Sequence, residues 1–230
     1  MSDVEPGPLV AENMTVVACR GGGGTRLETR PVPRPGPGEL LMSLRYCGLC
    51  GTDLFKLAHA TEADGTVLGH EIVGTVVSVG AGVEGFAVGD RVAWSGSIGS
   101  YAAKTSADPD KLVHVPDGVP LETAAAVMLQ GLTAHYLATD TFPLAAGHRA
   151  LVHAGAGGVG LLLTQIAKLK GCTVVGSAGS EEKVAWLLDE AGIDAAFNYK
   201  KTDNVIAEVG RRFPKGIDLY FENVGGVHLE

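Results

Sequence analysis

The stretch that most constrains this chain is Ala154-Gly155-Ala156-Gly157-Gly158-Val159-Gly160. Gly155, Gly157 and Gly160 fall at the G-x-G-x-x-G spacing, after a short apolar run at 150–154 and before a helical pattern at 159–170. A turn of this kind points backbone N–H groups from a helix N-terminus into space that no side chain fills, which is what a pyrophosphate requires. Three glycines alone also fit any tight strand-to-helix turn. A second strand at 173–177, after Gly171 as a helix stop, completes a βαβ unit and points to a bound dinucleotide. The candidate cofactor residues here are Gly155, Gly157, Gly158, Val159 and Gly160.

The end of the second strand selects the dinucleotide. An NAD site places Asp or Glu there, about 20 residues past the glycines, to bind the ribose 2′-hydroxyl. This chain reads Gly176-Ser177-Ala178-Gly179, with nothing acidic before the next helix. A 2′-phosphate meets no repelling carboxylate, and Lys183 follows as a counter-charge, so NADP(H) is the expected cofactor. Ser177 and Lys183 join the candidate set; the alternative for Lys183 is a solvated helix residue.

The flanking segments divide the chain. The first half is punctuated by glycine and proline: a turn-rich stretch at 32–39, then strands at 40–46, 72–79 and 89–94, which suggest a compact β-barrel. At Val119-Pro120 the character changes, and 121–139 reads as a helix or a broken helix pair. Beyond the glycine turn, Ser180 is a plausible N-cap with Glu181 and Glu182 in the first turn and Gly192 as a stop; 195–199 and 217–221 are further strands. The expectation is an α/β protein with a β-rich part: a β domain at 1–120 and a parallel α/β domain at 121–230. Four parallel strands can be counted where a doubly wound sheet has about six. This predicts a chain that stops before the sheet is complete, and it leaves open a truncated, non-catalytic NADPH-binding protein.

Composition excludes other classes. A net charge of −8 argues against nucleic acid or an anionic membrane as partner. No run approaches the roughly 20 apolar residues of a membrane span. The acidic, proline-bearing start lacks a signal-peptide pattern, and four cysteines suggest a reducing, cytoplasmic setting rather than a disulfide scaffold.

Further motifs carry a family resemblance. Cys47-Gly48-Leu49-Cys50-Gly51-Thr52-Asp53 and Gly69-His70-Glu71, with Gly74, Gly80 and Val83 at fixed intervals, resemble the zinc alcohol dehydrogenases. Gly99-Ser100-Tyr101-Ala102, Leu112-Val113-His114-Val115-Pro116-Asp117-Gly118 and Leu129-Gln130-Gly131-Leu132-Thr133-Ala134 are similar to the zinc-free quinone oxidoreductases. Ser180-Glu181-Glu182-Lys183-Val184-Ala185, Phe197-Asn198-Tyr199-Lys200 and Tyr220-Phe221-Glu222-Asn223-Val224-Gly225-Gly226 look like the prostaglandin/leukotriene reductases. All are branches of the medium-chain dehydrogenase/reductase superfamily.

The resemblance implies a GroES-like β-barrel followed by a Rossmann doubly wound parallel sheet, here incomplete. It implies NADPH-dependent hydride transfer to an enone or quinone, with the phosphate end of the cofactor held by Lys183 and Tyr199 and a further contact from Asn223. Its zinc branch implies an alternative, a zinc-dependent alcohol dehydrogenase acting on a small carbonyl or alcohol, with Cys50, His70 and Glu71 as metal ligands and Thr52 as a proton relay. The third ligand position is matched by Gln130, a poor zinc ligand, and the four-cysteine structural zinc lobe is absent, so zinc stays open. The resemblance also places the reaction between the two domains and implies a homodimer.

Overall fold

The structure, a computed structural model, describes residues 12–61, 65–96, 98–222 and 225. It divides into two compact units, Met1–Leu129 and Gln130–Glu230.

The first unit contains strands β1 (Asn13–Arg20), β2 (Gly24–Pro31), β3 (Leu40–Cys47), β4 (Glu71–Val79), β5 (Arg91–Ser95), β6 (Lys104–Ala107) and β7 (Val113–His114). Helix α1 (Gly51–His59) lies between β3 and β4, and α2 (Leu121–Tyr136) begins here. Five strands form an antiparallel sheet in the order β6-β3-β4-β5-β7. β1 and β2 make a separate antiparallel ribbon, tied back by Val17 N–H to Tyr101 O at 2.7 Å and Cys19 N–H to Thr66 O at 2.8 Å.

The run of β-branched residues in β4 has a packing reason. Ile72 and Val76 face one apolar cluster with Leu40, Met42, Val92 and Trp94, while Val73 faces another with Ala93, Val115, Ala124 and Ala125. Both faces are covered, so the alternation expected of a half-exposed strand disappears.

The second unit contains β8 (Arg149–Val152), α3 (Gly158–Leu169), β9 (Thr173–Ala178), α4 (Glu181–Asp189), β10 (Ala195–Asn198), α5 (Val205–Arg212) and β11 (Leu219–Phe221). Its strands are all parallel, in the order β10-β9-β8-β11, which is the first part of a doubly wound sheet. One face packs on Leu163 and Ala167 of α3 and Leu187 of α4. The other packs on Val205, Val209 and Phe213 at α5. As predicted, Ser180 caps α4, accepting from Lys183 N–H at 3.3 Å, and Gly171 and Gly192 follow α3 and α4 in left-handed backbone (φ 80° and 62°).

The expected boundary after residue 120 corresponds to the start of α2, whereas the units divide inside that helix. Leu121, Ala124, Ala125 and Met128 join a cluster of the first unit, and Ala134 joins the core of the second, followed by Ala138 in the wide turn Leu137–Thr141. A helix apolar on more than one side serves two cores, and composition alone does not show where it changes allegiance. Among the described residues, no helix is long and apolar enough to cross a membrane.

Candidate cofactor site and a cysteine–histidine–glutamate cluster

At the end of β8 the chain turns through Ala154, whose φ of 50° is unusual for a residue with a side chain. Gly155 N–H donates to Ser177 O at 2.9 Å, holding the turn to the end of β9, and Gly157 N–H donates back to Ala154 O at 2.8 Å. The amides of Gly158, Val159 and Gly160 precede the first hydrogen bond of α3, from Leu161 N–H to Gly157 O at 2.8 Å. They are the open donors of a helix N-terminus, and no acidic side chain lies in this first turn.

The glycines have different tasks. A Cβ on Gly160 would sit 2.4 Å from Ala154 O and 2.7 Å from Gly155 Cα, so this residue lets the helix pack on the turn. A Cβ on Gly158 would press on Gln130 Cγ at 3.0 Å. Gly157 is exposed and lines the adjoining cavity.

That cavity, about 360 Å³, is lined by Ala154, Ala156 and Gly157 from the turn, Ala178, Gly179, Ser180 and Lys183 from the end of β9 and the start of α4, and Tyr199 and Lys200 after β10. The structure therefore brings Gly157, Lys183 and Tyr199 of the sequence-predicted set around one space. Gly155, Gly158, Val159 and Gly160 shape the turn without lining it. Ser177 departs from its expected place: it is fully buried, and its hydroxyl bonds His153 Nδ1 at 2.6 Å and accepts from Ala154 N–H at 3.4 Å. Strand alternation turns it inward, so it supports the turn from beneath. Asn223 lies outside the described residues.

Two residues of the cavity lining were not among the expected cofactor residues. Lys200 brings a second cation to the cavity, and Gly179 keeps it open: a Cβ there would meet the Tyr199 hydroxyl at 2.9 Å and Lys200 Cε at 3.3 Å. The nearby Glu181 is taken up by Asn198 Nδ2 at 3.0 Å and Lys201 Nζ at 3.2 Å. His153 is 1% exposed and lies 4.9 Å from the Tyr199 ring, centroid to centroid. Its signal in the sequence, a polar residue closing an apolar strand, was present but had no partner to give it meaning.

In the first unit, Cys50, His70 and Glu71 bring a sulfur, a ring nitrogen and a carboxylate oxygen within 4.8 Å of one another. Behind them stands Asp53, 2% exposed and missed in the sequence. Its carboxylate accepts from Cys50 N–H at 3.0 Å, Gly69 N–H at 3.1 Å and the Tyr101 hydroxyl at 2.9 Å, and bonds His70 Nδ1 at 3.1 Å. Burial alone would raise its pKa, but these donors outweigh burial and hold the carboxyl below its ordinary value. Burial, then the neighbouring Asp53 carboxylate, push the Tyr101 hydroxyl well above the usual tyrosine range. Thr52 lies exposed in the first turn of α1. The donor set suits Zn²⁺ chemically, with Asp53 in the orienting role a carboxylate takes behind a metal-bound histidine.

Residues 36–141 match the alcohol dehydrogenase GroES-like domain family, and residues 158–230 match the zinc-binding dehydrogenase family. A mycobacterial quinone oxidoreductase of known structure is 36% identical and superposes with a TM-score of 0.82, over 94% of this chain and 68% of that one. The chain belongs to the medium-chain dehydrogenase/reductase superfamily.

Within that superfamily, its GroES-like part is the antiparallel sheet of the first unit, and its Rossmann-type part is the parallel sheet of the second. The quinone oxidoreductase of Pseudomonas aeruginosa is 44% identical over 152 residues, 65% of this chain and 47% of that protein. Escherichia coli quinone oxidoreductase complexed with NADPH is 27% identical with a TM-score of 0.83, over 94% of this chain and 67% of that one. This medium-chain dehydrogenase/reductase thus spans about half to two thirds of the length of these relatives.

Proposed function

We propose that this chain binds NADP(H) against the glycine turn before α3 and serves an NADPH-dependent oxidoreductase that reduces an enone or a quinone. The observation that carries this reading is the cavity shared by a helix N-terminus, Lys183, Tyr199 and Lys200, with no carboxylate in its lining. The amides at the start of α3 suit the pyrophosphate, and the two lysines suit a 2′-phosphate that an NAD-type carboxylate would repel. The NADPH complex of the E. coli relative supports the same cofactor.

Bound there, NADPH supplies the hydride. The chain's own residues grip its phosphates, orient it and exclude side chains from its path, and the proton can come from solvent. The test is NADPH consumption followed by absorbance with a panel of enones and quinones. Turnover with NADPH well above that with NADH is expected. Binding without turnover would favour the non-catalytic reading, and absence of NADPH binding would overturn the proposal. The four cysteines, none of them in a disulfide, fit a reducing, cytoplasmic setting. Light scattering on the purified chain tests the homodimer that the family implies.

A second reading rests on Cys50, His70 and Glu71. Zinc held by these side chains would polarise an alcohol or ketone oxygen, and Thr52 would serve as proton relay. Metal analysis of protein purified without added zinc decides it. Stoichiometric zinc that is lost in Cys50→Ala would favour the alcohol dehydrogenase reading.

A further inference from the structure

His153 follows β8 directly and is 1% exposed. Its Nδ1 lies 2.6 Å from the hydroxyl of Ser177, which is fully buried in β9. That hydroxyl also accepts from Ala154 N–H at 3.4 Å, at the residue where the glycine turn takes its positive φ of 50°. The His153 ring lies 4.9 Å from that of Tyr199, inclined by 45°. His153, Ser177 and Tyr199 thus stand at the ends of three neighbouring strands, β8, β9 and β10.

A buried imidazole and hydroxyl lose their water, and a hydrogen bond between them recovers only part of that cost. An apolar pair would fill the same volume without it. What the polar pair adds is direction: a hydrogen bond 2.6 Å long fixes the ring in one orientation, where apolar packing would accept several. The ring so fixed lies 4.9 Å from that of Tyr199, which lines the cavity with its hydroxyl beside Gly179.

We infer that His153 is a positioning residue for the 2′-phosphate end of the cofactor: anchored by Ser177, its ring sets the place of the Tyr199 hydroxyl. This rests on the NADP(H) reading above. The test is a double-mutant cycle on nucleotide affinity, measured by fluorescence titration of the whole chain. His153→Asn keeps a hydrogen-bonding group and loses the ring; it should weaken NADPH binding about tenfold, within the range of coupling between neighbouring residues. In a Tyr199→Phe background there is no hydroxyl to place, and the same substitution should change affinity less than about twofold. Ser177→Ala removes the anchor at the loss of one oxygen and should show the same dependence on Tyr199; it decides the matter if His153→Asn does not fold.

NADH, which lacks the 2′-phosphate, is the internal control. A general weakening of the sheet lowers both affinities alike, whereas a displaced Tyr199 lowers that for NADPH. Equal losses in both backgrounds, or equal losses for both nucleotides, would overturn the inference. If the unsubstituted chain binds no NADPH, the fault lies in the cofactor reading itself and the inference falls with it.

Discussion

Replacing Gly160 by alanine adds one methyl group where three backbone atoms already crowd: Ala154 O at 2.4 Å, Gly155 Cα at 2.7 Å and Gly155 C at 2.8 Å. None belongs to a flexible side chain, so relief requires the start of α3 to move off the turn by roughly an ångström, against contacts that normally close at about 3.5 Å. Overpacking of this kind costs about 1–3 kcal/mol. For a unit of this size that lowers the melting temperature by roughly 5–15 °C. The same shift tilts the Gly158, Val159 and Gly160 amides away from a bound phosphate, so NADPH affinity should fall with stability. Gly210 provides the control. It lies in α5 with nothing within 4 Å of its Cβ position, so Gly210→Ala should gain about 0.5–1 kcal/mol from helix propensity alone. Differential scanning fluorimetry and NADPH titration of both variants check the pair. The reasoning is refuted if Gly160→Ala melts and binds like the unsubstituted chain, or if both substitutions move stability in the same direction.

Lys200→Ala removes one of two cations from the cavity, and because the side chain is exposed its phosphate contact is worth about 1–1.5 kcal/mol rather than the full charged-bond value. NADPH affinity should drop about tenfold while NADH affinity stays within about twofold; an unchanged ratio of the two would refute the assignment. Asp53→Asn turns one acceptor into a donor that faces N–H and O–H groups, so calorimetry should show a loss of about 2–4 kcal/mol; a loss under about 1 kcal/mol would count against the network. Asp218 is held at about 2, first by its side-chain hydrogen bond with Arg149, against an ordinary value of 3.8. A depressed carboxyl stabilises the fold above its unfolded value and loses that effect as pH falls through its folded one, so the contribution is complete above about pH 4 and fades towards pH 2. Acid-unfolding curves of Asp218→Asn should therefore be flatter in that window, and an unchanged slope would refute the pairing.

Legibility followed periodicity. The βαβ unit could be read because β8, α3 and β9 are each regular and glycine punctuates them, and the structure places their ends close to the expected residues. The β1–β2 ribbon went unread because β2, Gly24–Pro31, is mostly exposed and has Leu27 as its one large apolar side chain, leaving no hydrophobic alternation to detect. α1 and α5 were missed for a different reason: nine and eight residues long, they give too few turns for a period to stand out, and of their residues only Asp53 is buried. Asp53 was passed over beside the conspicuous cysteines, since nothing local shows that Gly69, His70 and Tyr101 converge on its carboxylate.

The sequence by itself determined the turn at Ala154–Gly160, the neutral end of the following strand and the family these features resemble. Each is a local matter of which backbone paths and charges neighbouring residues permit. Tertiary structure alone decided the rest. It turned Ser177 inward to His153, brought Lys200 from the end of β10 to face Lys183 from α4, and divided α2 between two cores. Those outcomes depend on which strands lie side by side and which faces are covered. Sheet order is set by packing between segments tens of residues apart, and no window of the chain contains it.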